Sequence, residues 1–484
     1  MSLLLEVTKQ SQSICLSTIK ISNQMRFSLL FFLLFLTGFT VLAQHLRHKG
    51  SLGIQYVEAS DSLLAEERVL ETRGIWVKSV TPGLTAAALG IQVNDILVAV
   101  NNIDSLYLYD FQKLEKSIYE NEPISITYIR GRRKNRVVGQ VVTGRKESSK
   151  GEVRYGEVAY NRGYLRTLIH KPYGAARFPA IFYIQDYECS SIDFSKDSLS
   201  PVKKLIDGWV KAGYVVFRVE KPGIGESQGT KDCSRLSFQE ELSAFQNAFT
   251  TFKKLPFVDS TKAFIFGHGV GGSIAPLLAA QAPSKPRGIM VYGSTTKPWF
   301  EHMIDFFRKQ PLLHKESLQA IDATTRMVTP LLFEWLVQNK SVSDLIQNPD
   351  FEAILTSKEN PLQYYRGTFF GKAALFFPEL NQQNITQAWI EAATPTLSLH
   401  GEFDEKAISP ESAQSIAQLV NEVLGDKGSY QLIKNSDHWF GKIQSFEEYY
   451  KLIQSKKYTR HIEQNFNHEI VDVTVKWMKQ QQQQ

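Results

Sequence analysis

"FGHGVGG", Phe266 to Gly272, decides how this chain is read. It follows the strand-forming run "KAFIF" and precedes the helix-like "SIAPLLAA". Taken literally it is G-x-G-x-x-G through Gly267, Gly269 and Gly272, a loop type that cradles a dinucleotide pyrophosphate. With one residue exchanged it is G-x-S-x-G, the sharp strand-to-helix turn that exposes a serine nucleophile, with Gly269 in the serine's place. The dinucleotide reading fails two demands. Its motif should open the first strand-helix-strand unit, and an acidic residue should follow about 20 positions on to bind ribose. Two strand-helix pairs precede the glycines within this part of the chain, and the first carboxylate after Gly272 is Glu301.

The elbow reading instead finds its partners elsewhere. A hydrolase of this design carries nucleophile, acid and histidine in that chain order, each in a loop after a strand. "PTLSLHGEFD" places Asp404 just past a strand, and "YQLIKNSDHWF" places His438 just past the next. Upstream, "GYVVFRVEKPGIGESQG" is similar to a strand and turn of the form D-x-x-G-x-G-x-S-x-G, with Glu220 in place of Asp. With these motifs the stretch from Tyr155 to Lys479 resembles the α/β-hydrolase superfamily, nearest to its exported serine esterases and peptidases with a helical cap.

The resemblance implies an α/β fold: a mostly parallel sheet covered on both faces over 158–480, with a helical cap over about 297–390. It implies Asp404 as triad acid, His438 as base and Gly269 as the nucleophile position, its serine lost. The oxyanion donors would be the amides of Val270 and Tyr187. Asp186 stands where the family usually has Gly, and its carboxylate would oppose a developing oxyanion. His268 would pack behind the elbow without chemistry, and Asp437 reads as a loop carboxylate. Ser273, Ser190, Ser191 or a water activated by His438 and Asp404 are the substitutes for the lost hydroxyl. Cys189 and Cys233 are expected to form a disulfide, because the loops carrying them lie at the same end of the sheet; the rival is two separate small residues. The cap aromatics in "WFEHMIDFF", "LLFEW" and "YYRGTFFGKAALFF" either fill the cap's own core or line a pocket for an apolar acyl or aromatic ligand.

The N-terminal part has a different composition. "MRFSLLFFLLFLTGFTVLAQ" from Met25 reads as a signal peptide cleaved after Ala43, so residues 1–43 are a leader whose true start is Met1 or Met25. An uncleaved leader would be the one membrane attachment. "KGSLGIQYV" and "GIWVKSVTPGLTAAALGIQVNDIL" resemble a PDZ domain over 47–145. That resemblance implies a groove beside the helix from Phe111 to Tyr119. There a peptide or protein C-terminus would be held by the amides of Leu52, Gly53 and Ile54. The alternative is a rigid spacer. Residues 146–157 read as a linker.

The chain has 484 residues, 43% of them hydrophobic and 21% charged, with a formal net charge of only +6. The basic run "RGRRK", Arg130 to Lys134, reads as a solvated hairpin tip and not as a nucleic-acid contact. No cofactor or metal is expected. The sequence thus describes an exported, periplasmic or secreted, PDZ plus α/β-hydrolase protein reading as a catalytically impaired pseudo-hydrolase. One alternative is an active ester or peptide hydrolase using water or a substitute nucleophile. The other is a PDZ-based peptide-binding scaffold.

Overall fold

The structure is a computed structural model that describes residues 45–68, 73–104 and 106–483. The expected leader, 1–43, lies outside the described residues. In the N-terminal unit, strands β1 (Ile54–Glu58), β2 (Ile75–Val80), β3 (Ile96–Val100), β4 (Ile103–Asp104), β5 (Pro123–Arg130) and β6 (Arg133–Gln140) form a sheet ordered β1-β2-β3-β5-β6, with β4 beside β3. Its core joins Leu52, Ile75, Val77 and Val100 to Phe111 of the helix Leu108–Ser117. Asn94 adopts φ +73°, a left-handed turn that asparagine tolerates. The basic run forms the tip of the β5–β6 hairpin. At the proposed groove, Tyr56 of β1 donates to Glu115 of the helix at 2.8 Å and packs edge-on against Phe111.

The alternating apolar runs of the larger unit build one eight-stranded sheet. Its strands are β7 (Glu152–Tyr160), β8 (Gly163–Lys171), β9 (Phe178–Ile184), β10 (Val215–Val219), β11 (Val258–His268), β12 (Gly288–Tyr292), β15 (Thr396–Gly401) and β16 (Gly428–Ile433). A separate short hairpin joins β13 (Thr368–Phe369) to β14 (Lys372–Ala373). The order is β16-β15-β12-β11-β9-β10-β8-β7, parallel from β16 to β10 and antiparallel at β8 and β7. Side chains alternate between two buried faces. Phe264 and Phe266 pack towards the helices Pro201–Lys211 and Glu469–Gln483, whereas Ile265 packs towards Phe238–Lys253 and Gly271–Gln281. Between β12 and β15 lies the cap, chiefly the helices Trp299–Leu313, Leu318–Leu332 and Phe376–Asn381.

The segment read as a linker is only partly one. Strand β7 begins at Glu152 and pairs along its whole length with β8; its mixed polar pattern, EVRYGEVAY, hid a half-buried edge strand. Glu147 within the connector is also buried. It meets Arg218 at 2.9 Å and His170 at 2.8 Å and accepts from the Phe194 amide at 2.6 Å. Burial opposes its charge, but Arg218 and His170 outweigh this and hold its pKa down to about 2. At the other end of the N-terminal unit, Glu157 accepts from the amides of His45 and Leu46, and Glu226 accepts from that of Lys49 at 2.7 Å. Glu226 also pairs with the buried Arg166 at 2.6 Å.

Candidate active site

Gly269 stands at the end of β11, where the chain turns into the helix Gly271–Gln281. It has φ +55°, in the left-handed region, which costs a residue with a Cβ on the order of 1–3 kcal/mol. The turn is tight behind it as well: a Cβ on Gly267 would lie 2.4 Å from the carbonyl oxygen of Gly271. The flanking glycines of the motif thus serve a close backbone crossing.

Asp404 follows β15 and is fully buried. Its Oδ1 accepts from the amides of Lys406 and Ala407, and both oxygens lie 2.9 Å from His438 Nδ1. Burial alone would raise its pKa, yet His438 holds the carboxyl well below the usual range. His438 follows β16 and is 2% exposed. The expected acid–histidine pair is therefore assembled, and its imidazole sits above the elbow.

The carboxyl group of Asp186 lies against Gly269. A Cβ placed on Gly269 would meet the Asp186 carboxyl at 2.3–2.5 Å. Asp186 Oδ1 accepts from Val270 N at 2.7 Å and from its neighbour Tyr187 N at 2.8 Å. These are the two amides expected to form the oxyanion hole. Asp186 Oδ2 lies 3.3 Å from His438 Nε2. The carboxylate therefore takes up both amides expected to serve as oxyanion donors, in charge-assisted hydrogen bonds. Burial opposes its ionisation, but His438 overrides this and keeps it ionised far below the usual range. His438, in turn, is flanked by two carboxylates. Burial works against its charge, but Asp404 and Asp186 push its pKa up to about 10. An imidazolium so held is no general base near neutral pH.

Several groups fix the Asp186 loop. Lys221 donates to the Asp186 carbonyl oxygen at 2.6 Å and pairs with Glu241 at 2.8 Å. Cys189 and Cys233 form the expected disulfide, with Cα atoms 5.7 Å apart. Lys372, on β14 of the cap, reaches Cys233 Sγ at 3.5 Å and Glu241 at 2.5 Å; burial lowers its pKa to about 8. No periodicity in the sequence marks Lys221, Glu241 or Lys372. The one signal was charge within otherwise apolar surroundings.

A cavity of about 410 Å³ lies over Asp186, Gly269 and His438, walled by Tyr187, Trp299, Met303, Phe306, Phe370 and Phe377. Other cap aromatics, such as Trp335 and Phe376, are buried in the core. Cap aromatics thus both fill the core and line this cavity. Among the substitute hydroxyls, Ser273 reaches this cavity, while Ser191 donates to Glu220. Burial raises the Glu220 pKa to about 7. His268 lies beneath His438, ring centroids 4.6 Å apart, with burial pushing its pKa down to about 3. Asp437 holds the Trp439 and Gly441 amides and the Tyr458 hydroxyl, so it shapes the histidine loop. In the N-terminal unit, Leu52 is buried and Gly53 takes φ +71° just before β1; the Ala86 and Thr81 amides donate to their carbonyls. Among the described residues no cluster suits a metal ion, and no helix is long and apolar enough to cross a membrane.

The family model described as "Serine aminopeptidase, S33" matches residues 196–441, just over half of the chain, and that of the PDZ domain matches residues 42–114. No curated protein matches the sequence. Among solved structures, proline iminopeptidase from Mycobacterium smegmatis is 13% identical, with 68% of this chain and 98% of that one covered and a TM-score of 0.40. A Pyrococcus furiosus esterase is 12% identical, covering 66% and 98%, with a TM-score of 0.37. An esterase domain from Rhodothermus marinus is 14% identical, covering 63% and 96%, with a TM-score of 0.36.

Proposed function

The chain belongs to the serine aminopeptidase S33 family and carries a PDZ domain before it, and from that premise we propose that it is an exported pseudo-hydrolase in which serine-type acyl transfer is closed. The observation that carries this reading is the Asp186 carboxylate on the amides of Val270 and Tyr187, beside Gly269. An ester or peptide substrate here lacks a serine oxygen at the elbow position to attack it. Its carbonyl oxygen also lacks free donors, and His438 is already protonated. Losing one oxyanion donor costs about 10²–10³ in rate, and losing the nucleophile costs far more. What remains is a cavity with aromatic walls, suited to holding an apolar acyl or aromatic ligand. The Cys189–Cys233 disulfide favours an oxidising compartment, periplasmic or extracellular.

PDZ domains commonly bind peptide C-termini. The free edge of β1, with Leu52, Gly53 and Ile54 at its start, supports the same use here. The Tyr56–Glu115 hydrogen bond would have to yield to such a peptide. The test of the main reading is serine-directed labelling of the purified protein with a fluorophosphonate, alongside hydrolysis of p-nitrophenyl butyrate. Neither labelling nor turnover above background is expected. Stoichiometric labelling of a serine in the wild-type protein would overturn it.

A further inference from the structure

The disulfide behind the Asp186 loop has a charged setting that packing does not call for. Lys221, Lys372 and Glu241 bury their side chains completely, and both lysines pair with that one carboxylate, at 2.8 Å and 2.5 Å. The cluster therefore carries one positive charge in excess. An uncompensated buried charge is costly, so an anion formed beside it is stabilised. The group in contact is the disulfide: Lys372 Nζ lies 3.5 Å from Cys233 Sγ and 3.8 Å from Cys189 Sγ. Neutral when bridged, Cys233 becomes that anion as a thiolate. The other acids nearby are engaged elsewhere. Glu188 pairs with Lys406 at 2.8 Å, and Asp232 is exposed and accepts from the Ser234 amide. We propose that Cys189–Cys233 is a thiol-exchange site, at which the thiolate of a low-molecular-weight thiol attacks Cys189 Sγ and Cys233 leaves as a thiolate paired with Lys372.

Exposure and charge set the direction of the exchange. Cys233 is fully buried whereas Cys189 is partly exposed, so an incoming thiolate meets residue 189 first. A disulfide opens faster when the departing sulfur is the weaker base, and the lysine beside Cys233 makes it that sulfur. In the step itself the incoming sulfur bonds to Cys189 Sγ as the bond between the two cysteines breaks. The bonding pair goes to Cys233 Sγ. One disulfide has replaced another, so no outside oxidant or reductant is needed. Return of the Cys233 thiolate to Cys189 Sγ expels the small thiolate and restores the bridge. The pairing that lets Cys233 leave also slows its return, because nucleophilicity falls with basicity.

The position of the bridge gives the exchange a consequence. Cys189 follows Asp186 on the same loop, and Cys233 stands just before the helix Phe238–Lys253. Thiolation of Cys189 cuts the covalent tie between them. The supply of thiol around the protein then sets how firmly the loop carrying Asp186 is held, and Lys372, on β14 of the cap, carries the same event into the cap.

This inference goes beyond the loss of acyl transfer, and either can fail alone. The test treats the oxidised full mature chain with excess reduced glutathione near neutral pH and quenches it in acid. Free thiols are then alkylated in the unfolded chain, and the peptides are mapped by mass spectrometry. Glutathione is expected on Cys189, with the alkyl group on Cys233. Lys372→Met keeps much of the side-chain bulk without the charge, and should slow formation of the mixed disulfide by roughly tenfold or more. In the fully reduced wild-type protein, ultraviolet absorption should show one thiol ionising below the ordinary value of about 8.5, a step that moves up in Lys372→Met. Hydrogen exchange of the peptide containing Asp186 should quicken once Cys189 is thiolated. Glutathione on Cys233 instead, reaction only after unfolding in urea, or an unchanged rate in Lys372→Met shown by circular dichroism to be folded would each overturn the proposal. Should that variant not fold, two ordinary thiol titrations in the wild type would overturn it, and unchanged hydrogen exchange would overturn the link to the loop.

Discussion

Restoring the serine alone should fail, and the structure says by how much. In Gly269→Ser the new Cβ would stand 2.3 Å from Asp186 Cγ, closer than non-bonded atoms approach, so one side must give way. If Asp186 is expelled, it loses two charge-assisted bonds, from Val270 N and Tyr187 N, worth about 1.5–3 kcal/mol each. The serine also takes φ +55° at a further cost on the order of 1–3 kcal/mol. The single variant should therefore be less stable by roughly 4–9 kcal/mol if the carboxylate leaves. If it stays, the hole remains blocked. With the carboxylate in place its kcat/KM for p-nitrophenyl butyrate should stay within about tenfold of the wild-type background, since blocked oxyanion donors cost about 10²–10³ each. The pair Asp186→Gly, Gly269→Ser removes the collision, empties the hole and frees His438 from one carboxylate. Its kcat/KM should exceed the single variant's by about 10² or more. The introduced serine should then also take a fluorophosphonate. Equal activity of single and double variants would refute the interlock. Equal activity of Asp186→Gly alone would show water, not serine, doing the chemistry.

Three further outcomes follow from the geometry. His438 has its pKa raised from the ordinary 6.5 to about 10, so between those values the folded chain holds a proton that the unfolded chain has released. Its stabilising contribution should be complete below pH 6.5 and fade towards pH 10; urea midpoints over this range should fall more steeply for wild type than for Asp186→Asn. Replacing both Cys189 and Cys233 by serine opens a loop with a sequence separation of 44, and loop entropy puts the loss at roughly 4 kcal/mol, read from denaturant unfolding. A fall below about 1 kcal/mol would show that Lys221 holds the loop without help. In the PDZ unit, Tyr56→Ala removes the hydroxyl bound to Glu115 and the ring beside Phe111, and should tighten binding of C-terminal peptides in a fluorescence titration; unchanged or weaker binding would exclude Tyr56 as a gate.

The frame of this site was legible because strand periodicity and chain order are local signals. Apolar runs marked β9, β10, β11 and β12, and the sequential loops then put Asp404 and His438 opposite Gly269. Asp186 was legible as an oddity, a charge in a glycine's place, but its position was not. That depends on the volume left by a missing Cβ on another loop, which no single stretch of sequence records. Lys372 escaped for a similar reason, since a lysine in a cap hairpin reads as solvated until the fold buries it against Glu241. The strand β7 was missed because an edge strand with mixed neighbours lacks clean alternation.

The joints between the two modules carry a practical consequence. The amides of His45, Leu46 and Lys49 are held by Glu157 and Glu226, and Glu147 is locked to Arg218 and His170. Excising the N-terminal module would strip partners from buried charges in the hydrolase module: Arg166 and Glu226, and also Arg218 if the cut fell beyond Glu147. Truncation would thus report the wound as well as the missing part. Dissection of this protein belongs to point changes within each module.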